Sequence, residues 1–60
     1  MNEFQNMLVE KFKECFPGWI KDIVTIEPDA KDEHAIVVAL KFSVKRFGEL
    51  KNGEIFMQTL

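Results

Sequence analysis

The chain of 60 residues has room for one domain and not for two, so residues 1–60 are expected to form a single unit. A hydrophobic fraction of 47% excludes a disordered chain, and the net charge of −2 is opposite in sign to the basic excess of a dedicated nucleic-acid binder. With one cysteine, Cys15, no internal disulfide can form, which favours a reducing compartment. The sequence has no signal-peptide pattern and no apolar run long enough for a membrane span, so a cytoplasmic protein without a membrane partner is predicted.

Residues 2–15 have the periodicity of an amphipathic helix. Asn2, followed three residues later by Gln5, has the pattern of a capping box. Pro17 disfavours helical geometry in the residue before it, so the helix is expected to end near residues 15–16. The apolar positions are three or four residues apart and form one stripe: Phe4, Met7, Leu8, Phe12, Cys15 and Phe16.

Three β-strands are predicted to follow the helix. Residues 19–27 are rich in β-branched side chains, residues 35–45 alternate under strand geometry, and residues 54–60 form the last strand. A register with Ile26 opposite Ile36 places apolar residues against each other. The helix is then expected to pack on one face, formed by Val24, Ile26, Ile36, Val38, Leu40 and Phe42.

The segment between the second and last strands has two interpretations. Asn52-Gly53 is typical of a two-residue hairpin turn, which would follow one long strand with a bulge or bend at Gly48. Alternatively, residues 44–51 form a short helix with Asn52-Gly53 as its C-terminal cap. The first interpretation gives the predicted fold: an α+β domain with one N-terminal amphipathic helix packed on a three-stranded antiparallel meander (α-β-β-β).

The face of the sheet opposite the helix carries more apolar residues than a lone monomer needs. An apolar patch with polar residues at its rim is typical of a contact surface. The predicted contact residues are Trp19, Ile23, Val37, Phe47 and Phe56, with Lys45 and Arg46 at the rim. The sequence therefore predicts a small protein–protein interaction module that forms a homodimer. It is expected to act as a regulator or inhibitor by binding another protein, as a phage protein or an accessory protein does.

This prediction has a structural alternative. Trp19 could wrap over the end of the helix, and Phe47 or Phe56 could enter the core through a bend in the strand. An open edge of the sheet offers a second route to self-association, because unpaired backbone groups accept another strand.

A nucleic-acid-binding module is the alternative function, with the basic residues Lys41, Lys45, Arg46 and Lys51 beside Phe42 and Phe47. Catalysis, a metal and a cofactor are not expected. Cys15 lies on the apolar stripe near a helix C-terminus, where the dipole opposes a thiolate, so a buried structural thiol is predicted. The acidic loop of residues 28–33 and the neighbouring His34 match no metal-binding spacing and are expected to be solvated.

Overall fold

The computed structural model describes the whole chain, from Met1 to Leu60, as one α-helix, one 3₁₀-helix and four strands. The elements are α1 (Glu3–Cys15), the 3₁₀-helix (Pro17–Asp22), β1 (Ile23–Pro28), β2 (Ala35–Leu40), β3 (Val44–Glu49) and β4 (Ile55–Thr59). All pairings are antiparallel and the strand order is β1-β2-β3-β4. One helix on an antiparallel sheet is therefore confirmed, whereas the predicted three-stranded meander is wrong because the sheet has four strands.

Helix α1 begins with the predicted capping box. The Asn2 side chain accepts the Gln5 N–H at 2.7 Å, and the Gln5 side chain accepts the Asn2 N–H at 3.1 Å. The Gln5 amide also donates to the carbonyl of Ala35 at 3.1 Å, which explains how this polar side chain is buried without loss of hydrogen bonding. The helix ends at Cys15, two residues before Pro17. At 13 residues it is too short to cross a membrane, and no other helix is long and apolar enough to do so.

The core lies between α1 and the two central strands. Its buried members are Leu8, Phe12, Ile36, Val38, Leu40 and Phe47, with Ile26 packed against them. Ile26, Ile36, Val38 and Leu40 thus lie on the helix side as predicted. Val24 and Phe42 were expected there too, but they are 62% and 58% exposed.

The chain before β2 departs from the predicted strand over residues 19–27. Residues 17–22 form the 3₁₀-helix, and Val24 is an extra residue between the pairs Ile23–Leu40 and Thr25–Ala39, which makes a β-bulge. Ile26 lies opposite Val38, not Ile36, so the register is shifted by two residues. A shift of two keeps the side chains on the predicted face, and for this reason the core still forms.

A tight turn at Lys41-Phe42 divides the long strand predicted from residue 35 onward into β2 and β3. Leu40 N–H donates to the Ser43 carbonyl at 2.7 Å, which leaves two residues in the loop. Neither residue has a positive φ, so the turn needs no glycine or asparagine and carries no such sequence signal. Because of this turn, the even-numbered residues of β2 share a face with the odd-numbered residues of β3, and Ile36 pairs with Phe47.

The second hairpin joins β3 to β4, so the strand interpretation is confirmed and the helical alternative for residues 44–51 is wrong. Gly53 has a φ of +89° and donates its N–H to Leu50, which gives a three-residue loop where two were predicted. The β3 pairings have no irregularity at Gly48, so the predicted bulge is absent. Instead, the glycine admits a close neighbour: a Cβ there would lie 2.8 Å from the ring of Phe56.

Candidate interaction surface

The seven predicted contact residues do not share a face. Phe47 is 1% exposed and contacts Phe12 beneath the helix, with 5.3 Å between ring centroids. Trp19 stacks on Phe16 at 4.6 Å, and Ile23 packs against the same core. The prediction that these residues lie opposite the helix is therefore wrong. The alternative is confirmed for both aromatic residues: Trp19 packs, partly buried, at the end of the helix, and Phe47 lies in the core.

Each misplacement has a physical cause. Trp19 belongs to a 3₁₀-helix, to which strand alternation does not apply. The bulge at Val24 changes which side Ile23 occupies, and the turn at Lys41-Phe42 reverses the parity of β3, which carries Phe47. Lys45 shares that side: its ammonium lies 5.6 Å from the Trp19 ring and donates to the Thr59 hydroxyl at 2.8 Å.

Val37, Arg46 and Phe56 do lie on the outer face, where Arg46 is held by its own chain. Its guanidinium pairs with Asp29 and with Asp32 (3.2 Å), donates to Gln58 at 3.1 Å and covers the Phe56 ring at 4.9 Å. Each of the three guanidinium nitrogens thus has a partner, and Arg46 fixes the loop after β1 onto β3.

Contacts in the same loop lower the pKa of Asp29. The backbone N–H of Lys31 donates to its carboxylate at 2.8 Å, and the Arg46 side chain binds the other oxygen. These hydrogen bonds, together with the positive charge of Arg46, hold the pKa of Asp29 below its usual value of 3.8. Arg46 thus holds Asp29 and Asp32, whereas Ala30, Lys31 and Glu33 are exposed, as predicted for this loop.

The basic residues of the alternative function do not form one strip. Lys41 lies in the β2–β3 turn and Lys51 in the β3–β4 turn, at opposite ends of β3. Lys45 faces the helix side, and Arg46 is neutralised by two aspartates on the outer face. This dispersion provides no continuous track for a phosphate backbone.

Two other side chains with possible chemistry are at the surface. Cys15 is exposed, so the predicted burial of its thiol is wrong; it ends α1, and Phe16 and Trp19 fill the core beyond that point. His34 is exposed at the start of β2, as predicted, and its ring meets Phe4 edge-on at 4.5 Å.

The β1 edge of the sheet offers little to another strand. Asp29 N–H donates to Ala35 at 3.1 Å, and alternation along the ladder then directs Ile26 and Pro28 toward the free edge. Pro28 has no N–H to donate, and the bulge at Val24 interrupts the ladder near the start of β1. Between the bulge and the end of β1, Ile26 supplies the one outward N–H.

The β4 edge has the opposite character. Leu60 N–H donates to Val44 at 2.9 Å and Leu50 N–H to Glu54 at 2.7 Å, so the even-numbered residues of β4 face β3. The backbone N–H and C=O groups that point away from the sheet belong to Ile55, Met57 and Thr59. This edge contains neither a proline nor a bulge, and residues 55–60 carry no charged side chain.

Side chains beside the β4 edge are also uncovered. Met57 pairs with Phe47 and therefore faces the helix side, but α1 packs over β2 and β3. Ile55 and Met57 consequently remain 40% and 38% exposed. Sequence reasoning named an open sheet edge as a route to self-association but did not locate it at β4, although the uncharged, β-prone run of residues 55–60 was a signal for it.

The comparisons with known proteins give no relative: no family model, no curated protein and no solved structure matches this chain.

Proposed function

We propose that this protein is a small protein-interaction module that binds another polypeptide by adding its strand to the β4 edge. The observation that carries the proposal is the row of outward N–H and C=O groups on Ile55, Met57 and Thr59. Strand addition supplies a hydrogen-bond partner for each of these groups, and side-chain pockets beside the strand supply selectivity.

The side chains support the same mode of binding. Exposed Ile55 and Met57 form an apolar strip that an added strand would partly cover. An uncharged edge without proline lacks the features that keep sheet edges apart. The module would act by binding rather than by catalysis, and its role as a regulator or inhibitor of the partner stays a prediction.

The contact surface in this proposal differs from the one predicted by strand alternation. Of the predicted residues, Phe56 alone belongs to β4, and its ring lies on the outer face over Gly48. A nucleic-acid-binding module remains the alternative prediction, and no feature of the cation arrangement favours it over strand addition.

The test is a titration of the ¹⁵N-labelled protein with an unlabelled strand-forming peptide of alternating valine and threonine. Bound peptide should slow hydrogen exchange of the Ile55, Met57 and Thr59 amides by about tenfold or more, because these amides would gain acceptors. The Ile26 amide on β1 should not change. Protection of Ile26 with no response on β4, or amides of Ile55, Met57 and Thr59 that stay unprotected at millimolar peptide, would contradict the proposal.

Variants of Met57 sharpen the test. Met57→Pro removes an outward N–H that β3 does not use, in imitation of Pro28 on β1, and should abolish peptide binding. Met57→Thr keeps the N–H and the strand propensity, so it is the matched control and should bind. If the proline variant fails to fold, Met57→Lys places a charge at the same edge and should weaken binding instead.

A further inference from the structure

We infer that the strand added to β4 is the β4 strand of a second copy of this chain, antiparallel to the first and related to it by a two-fold axis at Met57. This inference rests on the proposed function and names its partner.

The register follows from the outward hydrogen-bonding groups. A two-fold axis at Met57 pairs it with its own copy and pairs Ile55 with Thr59 of the second copy, as hydrogen-bonded pairs. All three outward residues of both chains then have partners. An axis at Phe56 or at Gln58 would pair only two of the three and leave the rest to solvent.

The side chains are compatible with a two-fold axis. Such an axis places identical residues side by side, so a charged residue at its centre would meet its own charge. Residues 55–60 carry no charged side chain, and the contacts on the helix side are Met57 with Met57 and Ile55 with Thr59.

The charged residues of the neighbouring strand are compatible with this antiparallel arrangement. On β3, Glu49 pairs with Ile55 and Lys45 pairs with Thr59. Each row of side chains across the interface therefore begins with the carboxylate of one copy and ends with the ammonium of the other. A parallel arrangement of the two β4 strands in the same rows would instead align Glu49 with Glu49 and Lys45 with Lys45.

The other edge explains why assembly stops at two copies. Pairing through β4 uses the free edge of both chains and leaves β1 at the two ends of an eight-stranded sheet. Each β1 edge carries Pro28 and the bulge at Val24, which block further strand addition. The contact is self-complementary and closes, as expected for a dimer rather than a fibre.

Single-cysteine cross-linking tests the register. In a Cys15→Ser background, the variants Ile55→Cys, Met57→Cys and Thr59→Cys are oxidised with copper phenanthroline. Hydrogen-bonded partners have Cα atoms about 5.5 Å apart, within the range of about 4.4–6.8 Å that a disulfide spans. In this register, position 55 of one copy lies roughly 14 Å from position 55 of the other, because the two positions are offset by about four residues of 3.4 Å each.

The proposed register predicts which cysteine variants form a disulfide between two copies. Met57→Cys alone should form covalent dimer at least tenfold faster than Ile55→Cys or Thr59→Cys alone, and an equimolar mixture of these last two should form a heterodimer. All three side chains are exposed, so equal reaction with a monofunctional maleimide is the control for accessibility.

Other outcomes overturn the inference in distinguishable ways. Rapid cross-linking of Ile55→Cys or of Thr59→Cys alone means a different register. Equal, slow reaction at every position, with a monomer in sedimentation equilibrium at millimolar concentration, means that β4 does not pair with itself. In either case, protection of the β4 amides by the added peptide would leave the proposed function standing.

Discussion

The two edges of this sheet are built in opposite ways. β1 and β4 are short strands of one antiparallel sheet, each with a single neighbour. β1 is interrupted by a bulge, ends in Pro28 and leads into a loop that Arg46 fastens to β3. β4 has a regular ladder and an uncharged sequence. Because only one edge is protected, the proposed strand addition would be restricted to β4.

The helix reinforces this difference. Ile23 and Ile26 on β1 pack against the core that α1 covers, whereas Ile55 and Met57 on β4 stay exposed. One helix of 13 residues is too narrow to cover four strands, so the placement of α1 decides which edge stays open.

The largest expected effect comes from truncating matched residues on the two edges. Ile26→Ala should lower the free energy of unfolding by about 2 kcal/mol, because it removes packing against the core. Met57→Ala should lower it by less than about 1 kcal/mol in dilute solution, since much of that side chain is already in water. Urea unfolding of both variants at low micromolar concentration measures the difference.

Concentration provides the control for this pair. The effect of Met57→Ala should grow at high protein concentration, where an occupied β4 edge adds to stability, whereas the effect of Ile26→Ala should stay constant. Equal losses for both variants in dilute solution would mean that the two edges are covered alike.

A second prediction concerns the blocked edge. Pro28→Thr restores an outward N–H to β1, so it should increase concentration-dependent association, with at most a small change in stability. Sedimentation velocity should show species larger than a dimer, because both edges would then be open. Combination with Met57→Pro leaves β1 as the only open edge and should limit association to a dimer; species larger than a dimer in the double variant would place the association elsewhere.

The smallest effect is expected from the loop that closes β1. The pKa of Asp29 is lower in the folded state than in the unfolded chain, so its contribution to stability is present above about pH 3.8 and is lost as the pH falls through the folded value. Asp29→Asn should lower stability by about 1 kcal/mol or less at pH 7, since the pair with Arg46 is partly solvated. Thermal unfolding from pH 7 to pH 2 should show the two proteins converging in acid, and a constant difference would exclude this role for the carboxylate.

The sequence predicted well those features that depend on local pattern. The capping box at Asn2 and Gln5 and the stop before Pro17 follow from rules that act over a few residues. So does the core strand, predicted over residues 35–45, of which residues 35–40 form β2. The hairpin at Asn52-Gly53 was also located, although its loop is one residue longer than the predicted turn.

The features that the sequence did not predict depend on pairing between strands. Nothing in Lys41-Phe42 marks a turn, yet this turn decides whether Phe47 faces the helix or the solvent. The extra residue at Val24 is likewise visible only once β1 is aligned with β2. The outward groups of β4 depend on that accumulated register, and so the interaction edge could be recognised by its composition but not by its geometry.

Gly48 has a consequence for the tolerance of the chain to mutation. Every amino acid other than glycine would place a Cβ 2.6 Å from the His34 carbonyl oxygen and against the ring of Phe56. No single-base change of a glycine codon to another amino acid avoids that collision. In a saturation scan, every substitution at position 48 should therefore lower the stability of the fold, because Gly48 lies where β3 packs against β4.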